Sequence, residues 1–146
     1  MSRRQKKWDK RFIGLSEHIS RWSKDPSTKV GAVITNGIKI VSVGFNGLPQ
    51  CVKDFPEILE VRNIKYKHII HAETNAILAA KTDLTGCTIY TFPFLPCTRC
   101  ASTIAQSGIS RVISIKCQNN RWKKTLEESR HFMGLCDLEV VEYEGF

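Results

Sequence analysis

The sequence predicts an α/β protein of three layers, a five-stranded mixed sheet with helices packed on both faces. Three observations carry this. Asn36-Gly37 stands between two apolar runs, 30–35 and 38–44, and is the strongest two-residue signal for a hairpin. Beyond residue 70, stretches with helical features alternate with short β-branched strands, which is how parallel strands are connected. Ahead of the hairpin lies one amphipathic helix, giving the order α-β-β-α-β-α-β-α-β.

That first helix is read from Trp8, Phe12, Leu15, Ile19 and Trp22, which recur at spacings of 4, 3, 4 and 3 and so share a face; Asp25-Pro26 stops it. After the hairpin, 45–67 mixes Gly47, Pro49, Pro56 and charges, and is expected to be a long loop with a short helix over 57–63. The Ala-rich stretch 71–81 has short side chains suited to a helix packed tightly on a sheet. Strand 87–92 follows the turn at Thr85-Gly86, helix 97–106 is stopped by Gly108, and strand 111–115 comes next. A helix over 125–133, closed by Gly134, and a strand over 138–143 complete the chain.

With 146 residues, 42% hydrophobic and 25% charged, the chain is expected to be one folded domain, 1–146, rather than disordered or fibrous. No run approaches the ~18 apolar residues of a spanning helix, and basic 1–10 has no apolar segment behind it, so a soluble, cytoplasmic protein without membrane association is expected. Six cysteines are too few for a disulfide scaffold, and reduced thiols are available to a metal. The net charge of +8 favours an anionic partner, either nucleic acid or a phosphorylated small molecule. Arg3, Arg4, Lys6, Lys7, Lys10 and Arg11 crowd the start, which reads as a solvated helix start or arm.

The chemistry is concentrated at two helix starts. Cys97 and Cys100 lie three apart, so both sulfurs point to one side. With His71 they make three ligands for zinc, an ion that takes about four, and leave the position a catalytic zinc needs for water. A helix N-terminus lowers thiol pKa and prepares both sulfurs as thiolates. Glu73, two residues after His71, is placed to move protons rather than to be a further ligand. A structural zinc would want a fourth Cys or His nearby, whereas His71-Ala72-Glu73 lies 26 residues before Pro96-Cys97-Thr98-Arg99-Cys100, the spacing of zinc nucleobase deaminases.

On these residues the chain resembles the deoxycytidylate (dCMP) deaminase family of the cytidine deaminase superfamily. The likeness runs from about Trp8 to Tyr143 and includes the run from Trp22 through Asp25-Pro26-Ser27-Thr28-Lys29 to Ile34, the Gly44-Phe45-Asn46-Gly47-Leu48-Pro49 segment, and Ile104 to Ile109. The resemblance implies the cytidine deaminase-like fold, zinc on His71, Cys97 and Cys100, and conversion of dCMP to dUMP and ammonia with Glu73 carrying protons. It further implies that Asn46 holds sugar or base, that the Ala72 N–H contacts the pyrimidine carbonyl, and that a carbonyl just before Pro96 accepts from the amine. A hexamer activated by dCTP and inhibited by dTTP through Gly44, Phe45, Asn46 and Gly47 is implied too. Lys29, Arg121 and Trp122 are candidates for phosphate and sugar contacts on charge and position, and Trp122 reads equally as a subunit contact. Two departures bear on substrate choice: Phe45 stands where the family commonly has Tyr, and 92–96 is longer by a residue.

The competing enzyme reading is a polynucleotide deaminase such as a tRNA adenosine deaminase, which the charge favours and the 22–34 and 44–49 segments oppose. A silent nucleotide-binding module has no need of Glu73, and the pattern of riboflavin-pathway deaminases is absent after Cys97. Cys51 and His68 could belong to a second zinc but read as ordinary side chains. Cys87, Cys117 and Cys136 read as small core residues, His18 and His131 as structural, and Arg99 as pointing off the ligand face.

Overall fold

The computed structural model describes residues 1–53 and 56–146. Gly37 takes φ +61°, the left-handed conformation that a tight hairpin demands, and joins β1 (Gly31–Asn36) to β2 (Lys39–Phe45). Gly31 pairs with Phe45 and Asn36 with Lys39, with an irregularity between Ile34 and Thr35. On the other side of β1 lies β3 (Thr88–Phe92), antiparallel; β4 (Arg111–Ile115) and β5 (Glu139–Tyr143) then add in parallel, giving the order β2-β1-β3-β4-β5. The sheet is mixed and five-stranded, as expected. Each parallel step is made through a helix, α5 (Thr98–Gln106) and then α6 (Lys123–Leu135), because parallel neighbours need a crossover.

Register sorts the side chains into two cores. Val43, Val33, Tyr90, Ile113 and Val141 lie on one cross-sheet row and meet Phe12 and Ile13 of α1 (Arg3–Ser20). One residue along, Ile34, Ile89, Val112 and Val140 point the other way, into a core shared with Ala72, Ala76, Ala101, Ile104, Leu126 and Met133. Helices therefore cover both faces. Asp9 of α1 ties the first layer together: wholly buried, it accepts from Tyr90 (2.7 Å), Tyr143 (2.6 Å), Gln5 (2.9 Å) and Arg111 (3.0 and 2.9 Å).

Of the two readings of the basic segment, the helix start holds: Ser2 caps α1 by accepting from the Gln5 N–H, and Arg11 stacks on Trp8 within the helix. Three other expectations shift. Tight bonds from the N–H groups of Arg21, Trp22 and Ser23 to carbonyls three residues back end the helix early. Trp22 thus leaves the apolar stripe, 52% exposed and edge-on to Phe45. The single short helix expected over 57–63 is two, α2 (Pro56–Leu59) and α3 (Arg62–His68), because Val61 is extended. The last helix starts earlier than Thr125, prefaced by a 3-10 turn over Asn120–Trp122.

Close approach seats α4 (Ala72–Ala80) on β2. A side chain at Gly44 would put its Cβ 2.5 Å from the Ala72 carbonyl oxygen and 2.5 Å from the Ala76 nitrogen, so glycine alone lets the helix start lie against the strand. Cys87 is buried, while Cys117 and Cys136 are only half-buried. Among the described residues no helix is long and apolar enough to cross a membrane.

Candidate active site

His71 occupies the N-cap of α4 and Cys97 the N-cap of α5, positions usually given to a side chain that caps the helix. Neither caps. Both turn towards each other, and Cys100, in the first turn of α5, joins them from the same side. His71 Nδ1 lies 3.2 Å from the Cys100 sulfur and 3.6 Å from that of Cys97, and all three ligand atoms fall within 4.8 Å of one another. Tetrahedral zinc with ordinary Zn–S and Zn–N bonds sets neighbouring N and S atoms about 3.6 Å apart. Two thiolates and one imidazole also balance a soft dication, so the donor set fits zinc.

Protons are unevenly shared here. The hydrogen bond with Cys100, helped by His71, pulls Cys97 down to about 4, while that same bond and burial push Cys100 upward. A bound dication favours both sulfurs as thiolates, because a metal ligand must be deprotonated. The His71 imidazole is raised, chiefly by its hydrogen bond to Cys97 and against the effect of burial. Glu73, in the first turn of α4, is 4% exposed and raised by burial.

The cluster opens into a cavity of about 400 Å³, a size suited to a small ligand. His71, Ala72, Glu73, Cys97, Asn46 and Trp122 line it, so most of the residues singled out from the sequence meet in one place. Lys29 and Arg121 do not line it. Lys29 donates to the Ser23 carbonyl and borders a neighbouring depression, and Arg121 stacks on Trp122 at 4.8 Å. Asn46 is buried and largely spent on its surroundings: its oxygen accepts from the Val30 N–H at 2.9 Å and its amide donates to the Thr28 carbonyl at 2.9 Å. Trp122 packs edge-on against Phe94 at the boundary of both cavities.

Several polar lining residues carry no signal in the sequence that marks them. Asp25 appeared only as a helix stop and Ser27 only as part of a family segment, yet both face the cavity with Lys65 of α3. Arg99, expected to point away, also lines it and makes no ion pair among the described residues. No local signal marks Lys65 among the cations of α3; its contacts span 40 residues. Cys51 and His68 are exposed, His68 is bound to the Ile64 carbonyl, and among the described residues neither joins a group of metal ligands.

Residues 6–116 match the family described as the cytidine and deoxycytidylate deaminase zinc-binding region. The chain belongs to this family. An uncharacterized deaminase in the luxG 3′ region of Aliivibrio fischeri is 47% identical over 92% of both chains. Deoxycytidylate deaminase of Homo sapiens is 39% identical over 73% of this chain, which spans 63% of the human protein's length. Among solved structures, the dCMP deaminase of cyanophage S-TIM5 in complex with dCMP and dUMP superposes with a TM-score of 0.71 at 21% identity, covering 97% of this chain and 98% of that one. The fold is thus that of the deaminase family, and zinc is the metal of the region matched.

Proposed function

We propose that this deaminase converts dCMP and water to dUMP and ammonia, with His71, Cys97 and Cys100 holding zinc and Glu73 as the proton-moving residue. The observation that carries the reading is the convergence of three soft ligands and one buried carboxylate on a cavity that also has polar walls for a sugar and a phosphate. The names of the relatives support dCMP as the base-bearing substrate.

Bound zinc supplies the Lewis acidity that makes water a nucleophile near neutral pH. The protein does the rest. Glu73 takes a proton from water, delivers it to N3 of the pyrimidine, and carries a second proton to the departing amino group; burial suits it to the protonated half of that cycle. Ala72 opens α4, so its N–H is one of the donors the helix leaves unpaired and is offered to the pyrimidine carbonyl oxygen. The carbonyl of Leu95, just before Pro96, takes the amine; the Ser129 hydroxyl holds the Pro96 carbonyl at 2.5 Å and steadies that turn. Trp122 offers an aromatic face beside the sugar. For the 5′-phosphate the better cation is Arg99, exposed and lining the cavity, rather than Lys29 or Arg121.

The reading extends to a homo-oligomer, a hexamer by resemblance, regulated by dCTP and dTTP at Gly44, Phe45, Asn46 and Gly47. Its support is the exposed pair Trp22 and Phe45 beside that segment. Gly44 and Asn46 already have packing roles and Gly47 is bridged to Ile70 through both its backbone groups, which leaves Phe45 as the effector-facing member. Ammonia release measured across dCMP, dCTP, deoxycytidine, CMP and a single-stranded oligonucleotide tests the function. Highest kcat/KM on dCMP is expected; faster turnover of deoxycytidine or of the oligonucleotide overturns the substrate.

A further inference from the structure

Asp25 and Lys65 form a buried ion pair in the cavity wall, 3% and 4% exposed, and none of the proton transfers uses it. Such a pair is weak evidence for stability, since desolvating both charges offsets most of their attraction. Its hydrogen bonding is lopsided. Asp25 Oδ1 collects four donors: the Ser27 N–H (2.9 Å), the Ser27 hydroxyl (2.9 Å), the Thr28 N–H (3.2 Å) and the Lys65 ammonium (3.1 Å). Oδ2 has one long contact among the described residues, 3.5 Å from the Asn46 amide. A carboxylate accepts only, at about four lone-pair sites, so one oxygen is crowded while the other keeps open capacity in a wall of the ligand cavity.

We propose that Asp25 determines specificity by accepting a hydrogen bond from the free 3′-hydroxyl of the nucleotide's deoxyribose, with Lys65 as its positioning residue. The proposal rests on the deaminase reading above and names the part of the substrate that reading leaves open. An ionised carboxylate repels phosphate and calls for a donor. The base's amino group is already assigned to the Leu95 carbonyl and Glu73. A 2′-deoxynucleoside 5′-monophosphate then has one donor left on its sugar, the 3′-hydroxyl. Backbone N–H groups of Ser27 and Thr28 lock the loop around the Asp25 carboxylate, and Lys65 fixes it further through its bonds to Asp25 and to the Ser27 hydroxyl (2.6 Å). Ionisation agrees with this geometry: burial pushes Asp25 up, but these donors outweigh it and the carboxyl lies below its usual value.

One consequence reaches beyond the sugar. Inside a polynucleotide the 3′-oxygen is esterified, has no proton, and carries a phosphate that would sit against the carboxylate. The same residue therefore rejects internal cytidines, in spite of the chain's +8 charge.

The zinc-loaded wild-type protein is to be assayed on dCMP, on 2′,3′-dideoxycytidine 5′-monophosphate, and on a 5′-phosphorylated dinucleotide whose deoxycytidine 3′-oxygen is esterified. Loss of a hydrogen bond to a charged group predicts kcat/KM about 10- to 100-fold lower for the dideoxy compound and lower still for the dinucleotide. A dideoxy compound or dinucleotide within about threefold of dCMP overturns the inference while leaving dCMP deamination standing. A protein inert towards dCMP overturns the deaminase reading and this inference with it. In Asp25→Asn/Lys65→Met, which removes both charges together, the preference for dCMP over the dideoxy compound should fall to near one with zinc content unchanged. A preference that survives in that variant makes the pair structural only. Should the double variant fail to fold, Asp25→Asn alone is read in the same way: a preference for dCMP over the dideoxy compound unchanged from wild type overturns the role of Asp25, and a reduced one supports it.

Discussion

Asp9 and Glu73 are both buried carboxylates, 0% and 4% exposed, on opposite faces of one sheet, and their surroundings drive them in opposite directions. At Asp9 burial is the largest single influence and pushes the pKa up. Donors from Arg111, Tyr143, Tyr90 and Gln5 together outweigh it, and the group lies below its ordinary value. At Glu73 burial wins, and the sulfur of Cys97 adds to it. The carboxylate saturated with donors has no capacity left for chemistry and cross-links α1 to β3, β4 and β5. The one that is not saturated faces a cavity beside a metal cluster, as proton transfer requires.

The largest effect that would break this contrast lies in the cluster beside Glu73. Cys97→Ser or Cys100→Ser should take zinc from about one per chain towards none and deamination to background, read by metal analysis and ammonia release. Zinc near one per chain in both variants would remove the assignment. Next, Glu73→Gln should keep zinc and Tm yet lower kcat/KM by roughly 10²- to 10⁴-fold, the range of general acid–base catalysis. Turnover within a few-fold of wild type would make Glu73 the same kind of residue as Asp9. Asp9→Asn should do the reverse, leaving turnover per folded molecule intact while destabilising the fold by about 3 kcal/mol, because the half-buried Arg111 then keeps only its longer pair with the exposed Glu139, at 3.4 Å. Urea denaturation reads the loss.

The smallest effect sharpens the comparison by pH. The folded-state pKa of Asp9 is lowered, so the unfolded chain binds its proton more readily. The stabilisation is full above the ordinary carboxyl value of 3.8 and disappears as pH falls through the lower folded value. Asp25 follows the same sign. Acid also strips the zinc site, so the informative quantity is the difference between wild type and Asp9→Asn. Their stabilities should converge as pH drops from 5 to about 2; a constant gap would show that Asp9 is not held ionised by the fold.

The hairpin at Asn36-Gly37, the alternation of later strands and helices, and the meeting of His71, Glu73, Cys97 and Cys100 were all legible in the sequence. Each rests on something local: a left-handed turn that Gly37 supplies, helical spacing that sets Cys97 and Cys100 on one side, helix starts that put ligands at the ends of α4 and α5. Where the reading stopped short, the deciding contact joins distant segments. Asp9 and Arg111 are 102 residues apart and Asp25 and Lys65 are 40 apart, and in the sequence each is merely one more charge. The packing reason for Gly44, the close approach of α4, is likewise invisible in its own segment. Arg99 lines the cavity and Lys29 does not for a related reason: helix and strand periodicity ranks which residues share a face, but which face lines a cavity is set only when separate elements pack. By itself the sequence determined the fold class and the chemically reactive centre, because turns, caps and ligand spacing are short-range. Tertiary structure alone decided which charges line the cavity and which hold the sheet, because burial and pairing over tens of residues exist only once the layers have closed.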